Sequence, residues 1–430
     1  MDMNTNDLYL KWSNQSFTEI EEQILREEAN PTITRLLGAD TVAEIQAHQS
    51  KISFSPIREN VVLLPGIMGS ILSSIRGITN LLWINPLLFL QGNAHYLRLD
   101  ENGIQDENPR IEVAPTGLEK LTYLKISLAL NRRAVLHEFP YDWRRPIEHN
   151  ADALAAMLQR WAADNDYKFT LVAHSMGGLV ARACFARHPQ IAEKTVRRLI
   201  QLGSPNYGAP NAIETLLHGN TMMAAADQLN RKNAMRDLVY NLPSVYQLLP
   251  APGEYLPAGS AQPVNFDLYR AEEWGLPSIR QKYLDSARLF HQLLAESASP
   301  VPVDVIAGCH IETIVQFHKT NAHTWQPKSN PQGEQSGDGT VPLWSARLNG
   351  ARVFYIQEKH RDLPNNRTVI DAVLDIIHSA TCDLPETLPA PKPFSFESAP
   401  SPDIQAESLR EKIESGTIDH RDLQSLYFAL

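Results

Sequence analysis

The sequence predicts a doubly wound α/β fold, a mostly parallel sheet with helices on both faces and two cap insertions. Three observations carry this. Six short runs at residues 61–64, 134–139, 169–173, 199–202, 303–307 and 353–356 are rich in Val, Leu, Ile and Phe, as strands buried on both faces of a parallel sheet are. Helical stretches alternate with them: residues 151–164 place Leu154, Leu158 and Trp161 on one stripe, and residues 178–187 and 368–378 also read as helices. Two intervals, 66–131 and 205–300, are too long for simple crossovers yet hold apolar and aromatic residues, so ordered insertions are expected there.

Before the first strand run, residues 1–59 are polar, with helix-like spacing at 18–26 and 40–48. They are expected to form an N-terminal helical extension. Residues 60–382 then form the main unit, with its insertions at about 70–130 and 206–300. The segment 383–403 holds six prolines and reads as a stiff, partly extended linker. Residues 404–430 read as a short helical tail, an element on which a partner protein could dock.

Composition narrows the function. Of 430 residues, 39 are Lys or Arg and 49 are Asp or Glu, a formal charge of -10. With no basic block, no nucleic-acid partner is expected. The same charge disfavours electrostatic docking on an anionic bilayer but leaves apolar docking open. Three cysteines, Cys184, Cys309 and Cys382, do not make a disulfide framework and suit a reducing compartment. The first residues lack the basic and apolar regions of a secretory signal. The longest apolar stretch, 78–92, is short for a bilayer span and is interrupted by Asn80, Asn85 and Pro86. A cytoplasmic protein with at most a peripheral membrane contact is the expectation.

The sharpest local feature is AHSMGG. A strand run ends at Ala173, Ser175 follows, and a helix opens through Gly177 and Gly178. This is the A-x-S-x-G form of the nucleophile elbow, in which small residues two before and two after the serine let strand and helix approach closely. The helix N-terminus supplies a free backbone N–H, that of Met176, for a developing oxyanion. An ordinary strand-to-helix turn is the competing reading.

A serine hydroxyl needs a base, and the base an orienting acid; in this scaffold the chain order is Ser, acid, His. Asp338 lies in SGDGTVP between two glycines beyond a strand, with Glu334 as a weaker alternative. Three histidines follow Asp338: His360, His378 and His420. His360 lies just past the last strand run, whereas His378 falls in a helix and His420 in the tail. The second oxyanion donor is expected after the first strand, at the N–H of Ile67 in LLPGIMG, with Met68 nearby.

VVLLPGIMGS, LLWINP, HEFPYDWR, AHSMGG, GSPNYGAP, LPSVYQLLP and GDGTVP, in this order, resemble the lecithin:cholesterol acyltransferase-like family of α/β hydrolases, a group that includes phospholipases A and phospholipid-dependent acyltransferases. The resemblance spans roughly residues 60–380. It implies an α/β-hydrolase fold with Ser175 as nucleophile, Asp338 as acid, His360 as base, and the N–H groups of Ile67 and Met176 as the oxyanion hole. The glycines of SMGG and GDG lack Walker or dinucleotide spacing, and no cofactor is expected. The stretch around Leu82 and Trp83 resembles the family's membrane-contact and lid region, and Tyr207 with the second insertion resembles its cap. The chain departs from secreted members in lacking a signal peptide and any cysteine before Cys184. In HEFPYDWR, Asp142 and Arg144 are expected to form an internal ion pair rather than to act in catalysis.

The insertions favour a lipid-like acyl ester, cleaved or transferred through a serine ester with water or an alcohol as acceptor. Leu81, Leu82, Trp83, Leu87, Leu88 and Phe89 form an apolar patch that could meet a bilayer or line an acyl channel, or could be core beneath a loop. Membrane contact through this patch would depend weakly on salt. Residues 242–252 could wall an acyl groove or form a proline-braced cap. Cys309, His310, His318 and His323 match no strong zinc spacing, their interval reads as a loop, and no metal is expected. Two other readings compete with a lipid-directed enzyme: a carboxylesterase on small soluble esters, and an inactive hydrolase fold used as a binding or scaffold module.

Overall fold

The computed structural model describes residues 3–27, 30–49, 59–76, 81–163, 167–257, 262–321, 324–393, 402–419 and 422. Its strands are β1 (Asn60–Leu64), β2 (Ser70–Arg76), β3 (Leu81–Trp83), β4 (Glu112–Leu118), β5 (Val135–Glu138), β6 (Phe169–His174), β7 (Val196–Leu202), β8 (Val303–Gly308), β9 (Thr313–Asn321), β10 (Thr324–Asn330) and β11 (Arg352–Ile356). Six of them form one parallel sheet in the order β11-β8-β7-β6-β1-β5. They are the six runs singled out from sequence. Every residue of β6 and β8 is buried, as expected of strands covered on both faces.

The order reverses at β1 and β6, because the chain passes from β5 across β1 to β6. Such a switch point opens a crevice at the carboxyl ends of the strands. The helices Ile147–Ala163 and Met176–Arg187 pack together in one layer, and Lys120–Arg133 and Arg367–Ser379 in another. The fold is therefore the doubly wound α/β-hydrolase arrangement.

The described residues of both insertions form regular elements. The first carries the antiparallel sheet β3-β2-β4. The second is helical, from Pro210–His218 to Gln281–Ala295. The interval after β8 departs from the expected loop: β9 and β10 pair as an antiparallel hairpin. β10 reads Thr-Trp-Gln-Pro-Lys-Ser-Asn and is largely exposed, so no run of buried apolar residues announces it.

Helix Phe17–Arg26 of the N-terminal region carries a capping box between Ser16 and Glu19 and packs on Lys120–Arg133. The described part of the proline-rich segment runs beside β11: the Tyr355 N–H donates to Pro385 O at 2.9 Å, and Gln357 and Lys392 exchange bonds of 2.9 and 2.7 Å. Helix Pro402–Ser415 folds back on the chain's own cap helices Thr221–Leu229 and Pro86–Leu90. Leu409 and Ile413 are buried, and Thr5 donates to Gly416 O. Among the described tail residues, Leu409 and Ile413 thus pack within the molecule.

Arg144 has no exposed side-chain surface. It grips Asp142 with bonds of 2.9 and 2.7 Å and donates to Asp106 at 2.9 Å and Leu97 O at 3.1 Å. The internal pair expected from HEFPYDWR is present and ties the end of β5 to the first insertion. Removing one partner strands a buried charge. Asp142→Ala should therefore destabilise the protein by about 3–5 kcal/mol, while breaking the exposed Arg367–Asp371 pair with Asp371→Ala should cost about 1 kcal/mol or less. Shifts in the urea midpoint of the two variants test this ranking.

Candidate active site

β6 ends at His174 and the next helix begins at Met176, so one residue makes the turn. That residue, Ser175, has φ 53° and ψ −126°, a region that costs a non-glycine residue roughly 1–3 kcal/mol. The turn is held by a 2.9 Å bond from Ser175 N–H to Leu202 O on β7. It also needs a glycine two residues on: a Cβ at Gly177 would lie 2.5 Å from Pro65 O and 2.9 Å from Leu64 O. The helix can enter this close to β1 only with a bare Cα there.

Sequences 163 and 185 residues apart meet at this turn. His360 Nε2 lies 2.9 Å from Ser175 Oγ, and His360 Nδ1 lies 2.7 Å from Asp338 Oδ2. All three are buried, Ser175 at 7%, His360 at 8% and Asp338 at 1% exposure. The acid is fixed by its own turn: Asp338 Oδ1 accepts from the N–H groups of Thr340 and Val341 at 3.0 and 2.7 Å. The His360 N–H donates to Asp338 O at 2.8 Å, so backbone and side chain hold the same pair. Gly203, at φ +58°, makes room for it; a Cβ would sit 2.9 Å from Asp338 Oδ2 and 3.0 Å from His360 Nδ1. Glu334, the weaker acid candidate, instead pairs with Arg347 at 2.6 Å.

The loop after β1 faces the same turn. A Cβ on Gly66 would lie 2.9 Å from Ser175 Cβ and 3.4 Å from its Oγ. Among the described residues none accepts the Ile67 N–H, and the Met176 N–H lies in a first helical turn with no intrahelical acceptor. Two free donors thus flank Ser175, at the ends of two different strands. A narrow cleft of about 30 Å³ opens from Ser175, lined by Ile67, Ala209, Ala212, Val245, Leu248 and Val341 among others. Val245 and Leu248 come from the stretch read as a candidate groove wall.

Four residues assigned from sequence to substrate or lid do not line this cleft: Met68, Leu82, Trp83 and Tyr207. Leu82 and Trp83 are each 1% exposed. Trp83 packs edge-on against Phe89 and Trp143, and its Nε1–H donates to Met68 O at 2.8 Å. Of the patch read as either lipid contact or core, Leu82, Trp83, Leu88 and Phe89 are buried as core beneath the Ile67 loop. The Met68 carbonyl satisfies the indole N–H that burial would otherwise leave unpaired. Tyr207 acts through its backbone, donating to Ser345 Oγ at 3.1 Å and accepting from Ala251 N–H at 2.9 Å.

Of the histidines weighed as ligands, His318 is exposed on β9 and His323 lies outside the described residues. His310 is a brace: its Nε2–H donates to Pro389 O at 2.7 Å and its Nδ1 accepts from Gly333 N–H at 3.0 Å.

Residues 93–325, more than half of the chain, match the lecithin:cholesterol acyltransferase family. The chain belongs to that family. It is similar to lecithin-cholesterol acyltransferase-like 4 of Arabidopsis thaliana, with 27% identity over 45% of this chain and 43% of the relative. It is also similar to phospholipase A(1) LCAT3 of the same plant, with 24% identity over 30% of each chain. The matches thus span less than half the length of these relatives. Among solved structures, one similar chain is in the Tle4-Tli4 complex, with 15% identity, a TM-score of 0.46 and coverage of 75% of this chain and 98% of that one. Another is Bacillus licheniformis lipase BlEst2, with 15% identity, a TM-score of 0.39 and coverage of 75% and 93%.

Within this lecithin:cholesterol acyltransferase family member, Ile67, Asp338 and His360 all lie outside the matched residues. The fold brings them to Ser175. Two residues absent from the sequence reading join them, Tyr123 and His174. The Tyr123 hydroxyl is 2.9 Å from His174 Nδ1, and His174 Nε2 is 3.1 Å from His360 O. Burial, together with repulsion from His360, pushes the His174 pKa down to about 3. His291, on the cap helix Gln281–Ala295, donates to Leu249 O at 2.8 Å and is pushed by burial down to about 4.

Both rings are neutral when folded and take up a proton near pH 6.5 when unfolded. Below that pH the unfolded chain binds more protons, so stability falls as pH drops from about 6.5 toward 4, by about 1 kcal/mol per pH unit for each ring. The melting temperature should decline over this window. His291→Gln, which keeps a donor but cannot titrate, should make the decline shallower; an unchanged slope would contradict the assignment.

Proposed function

We propose that the protein is a serine acyl hydrolase or acyltransferase that cleaves the acyl ester of a glycerophospholipid through an acyl-enzyme on Ser175. The observation that carries this reading is the hydrogen-bonded chain Ser175–His360–Asp338 at the floor of an apolar cleft. The cleft lining suits a fatty-acyl chain better than a charged substrate, and membership of the family supports a lipid ester over other acyl compounds.

The chemistry follows from the geometry. His360 Nε2 takes the proton from Ser175 Oγ as the oxygen attacks the ester carbonyl. Asp338, bonded to Nδ1, fixes the tautomer and stabilises the imidazolium. The oxyanion forms beside the N–H groups of Ile67 and Met176, where prepositioned donors stabilise charge that develops in the transition state. The carbon–oxygen bond to the leaving alcohol breaks as that alcohol receives the proton from His360, leaving the acyl group on Ser175. Water or a second alcohol then loses a proton to His360, attacks the acyl carbon and releases Ser175. The same residues serve hydrolysis and transfer.

A fluorophosphonate probe should label the wild type on the peptide containing Ser175, and Ser175→Ala should abolish labelling. A folded wild type that stays unlabelled would overturn the enzyme reading in favour of a binding module. Incubation with mixed phospholipid vesicles should release fatty acid and lysophospholipid, or a transferred ester, identifiable by mass spectrometry. Turnover confined to short-chain esters, with no gain on vesicles, would point instead to a carboxylesterase.

A further inference from the structure

The cleavage chemistry uses neither Tyr123 nor His174, yet both are buried against it. Their hydrogen bonds have a single consistent direction. His360 O is a carbonyl and can only accept, so His174 Nε2 carries the proton and Nδ1 is an acceptor. Tyr123 therefore donates its O–H to His174 Nδ1 at 2.9 Å. The Tyr123 oxygen in turn accepts the Gly66 N–H at 2.8 Å. One chain of bonds runs from the loop after β1, through Tyr123 and His174, to the backbone of the base. It passes directly behind Ser175.

We propose that Tyr123 and His174 form a neutral strut that positions the oxyanion loop relative to the base. The proposal rests on the acyl-transfer reading of Ser175. The Gly66 C=O and the Ile67 N–H share one trans peptide plane and point in opposite directions. The Gly66 carbonyl is tied back into the loop by the Gly69 N–H at 3.0 Å. Its own N–H is tied to Tyr123. With both groups of a glycine held, the plane carrying the Ile67 N–H cannot turn away from Ser175. The site is shaped for the hydroxyl, because a Cβ at Gly69 would lie 2.8 Å from it. Tyr123 is itself fixed at the start of helix Lys120–Arg133, where Glu119 caps the Leu121 and Thr122 N–H groups and donates its own N–H to Gly69 O at 2.9 Å. Neutrality matters as well: the His174 ring centroid is 4.9 Å from that of His360, and a charged neighbour there would oppose the imidazolium that forms on His360.

Tyr123→Phe keeps the ring and removes the strut's central atom. With a p-nitrophenyl ester, kcat should fall roughly 10- to 100-fold, less than for the loss of a whole oxyanion donor, with KM within about threefold. A merely structural role would not alter the ratio of rates on an ester and its thionoester. Sulfur accepts hydrogen bonds poorly, so a weakened oxyanion hole lowers the wild type's preference for the oxygen ester; Tyr123→Phe should lower it several-fold. His174→Asn can still accept from Tyr123 but cannot reach His360 O, and should lower kcat at least fivefold; it carries the test if Tyr123→Phe does not fold. Wild-type kcat and rate ratio in the folded variant, with Ser175 labelled normally by fluorophosphonate, would overturn the strut alone. An unlabelled wild-type Ser175 would overturn the acyl-transfer reading and the strut with it.

Discussion

Ser175 occupies a left-handed backbone region because the strand before it and the helix after it are both locked in place. β6 is paired on each side and buried along its length. The helix that follows presses against β1 through Gly177. Neither element can relax to relieve one residue, so the strain stays at the turn and the hydroxyl stays at the crevice. The other groups are placed relative to this point. The loop from β1 reaches Ser175 because β1 is its neighbour in the sheet. Asp338 and His360 arrive from beyond β8 and β11, across the width of the sheet.

Long-range placement of this kind needs rigid supports, and the molecule supplies them in two ways. Apolar support comes from Trp83, wedged against Trp143 and Phe89 under the loop that carries Ile67. Polar support comes from buried groups with complete sets of partners: Arg144 with two carboxylates and a carbonyl, and Asp338 with two N–H groups and a histidine. A buried charge with full partners resists displacement, since any movement leaves a group unsatisfied in a low-dielectric setting. The cap is braced by the same logic, with His291 neutral and bonded to a carbonyl beside the cleft wall.

Sequence reading succeeded where one local signal suffices. The inner core strands are apolar along most of their length because both faces are covered, and the turn at Ser175 announces itself by small residues at fixed offsets. It failed where the deciding contact is distant or the surface mixed. β10 is polar and half out of the core. Leu82 and Trp83 look alike as lid or as core until the Met68 carbonyl is seen to take the indole N–H. Tyr123 reads as an ordinary helix residue, and only the fold brings it to Gly66 and His174, 57 and 51 residues away in the chain.

The histidine before the nucleophile illustrates why such residues escape a motif search. The His174 side chain is buried and does not line the cleft. Its effect must pass through others, and hydrogen-bond polarity makes that possible. A ring that accepts at one nitrogen and donates at the other joins a hydroxyl to a carbonyl, and it can do so only while uncharged. Protonation would give it two donors, and the Tyr123 oxygen would then receive both the Gly66 N–H and the ring N–H while its own proton lost its acceptor. Burial that keeps His174 neutral therefore also keeps the bonds pointing one way. The low dielectric that makes a misplaced proton costly there is the same one that would strengthen the Ile67 and Met176 donors at the proposed oxyanion.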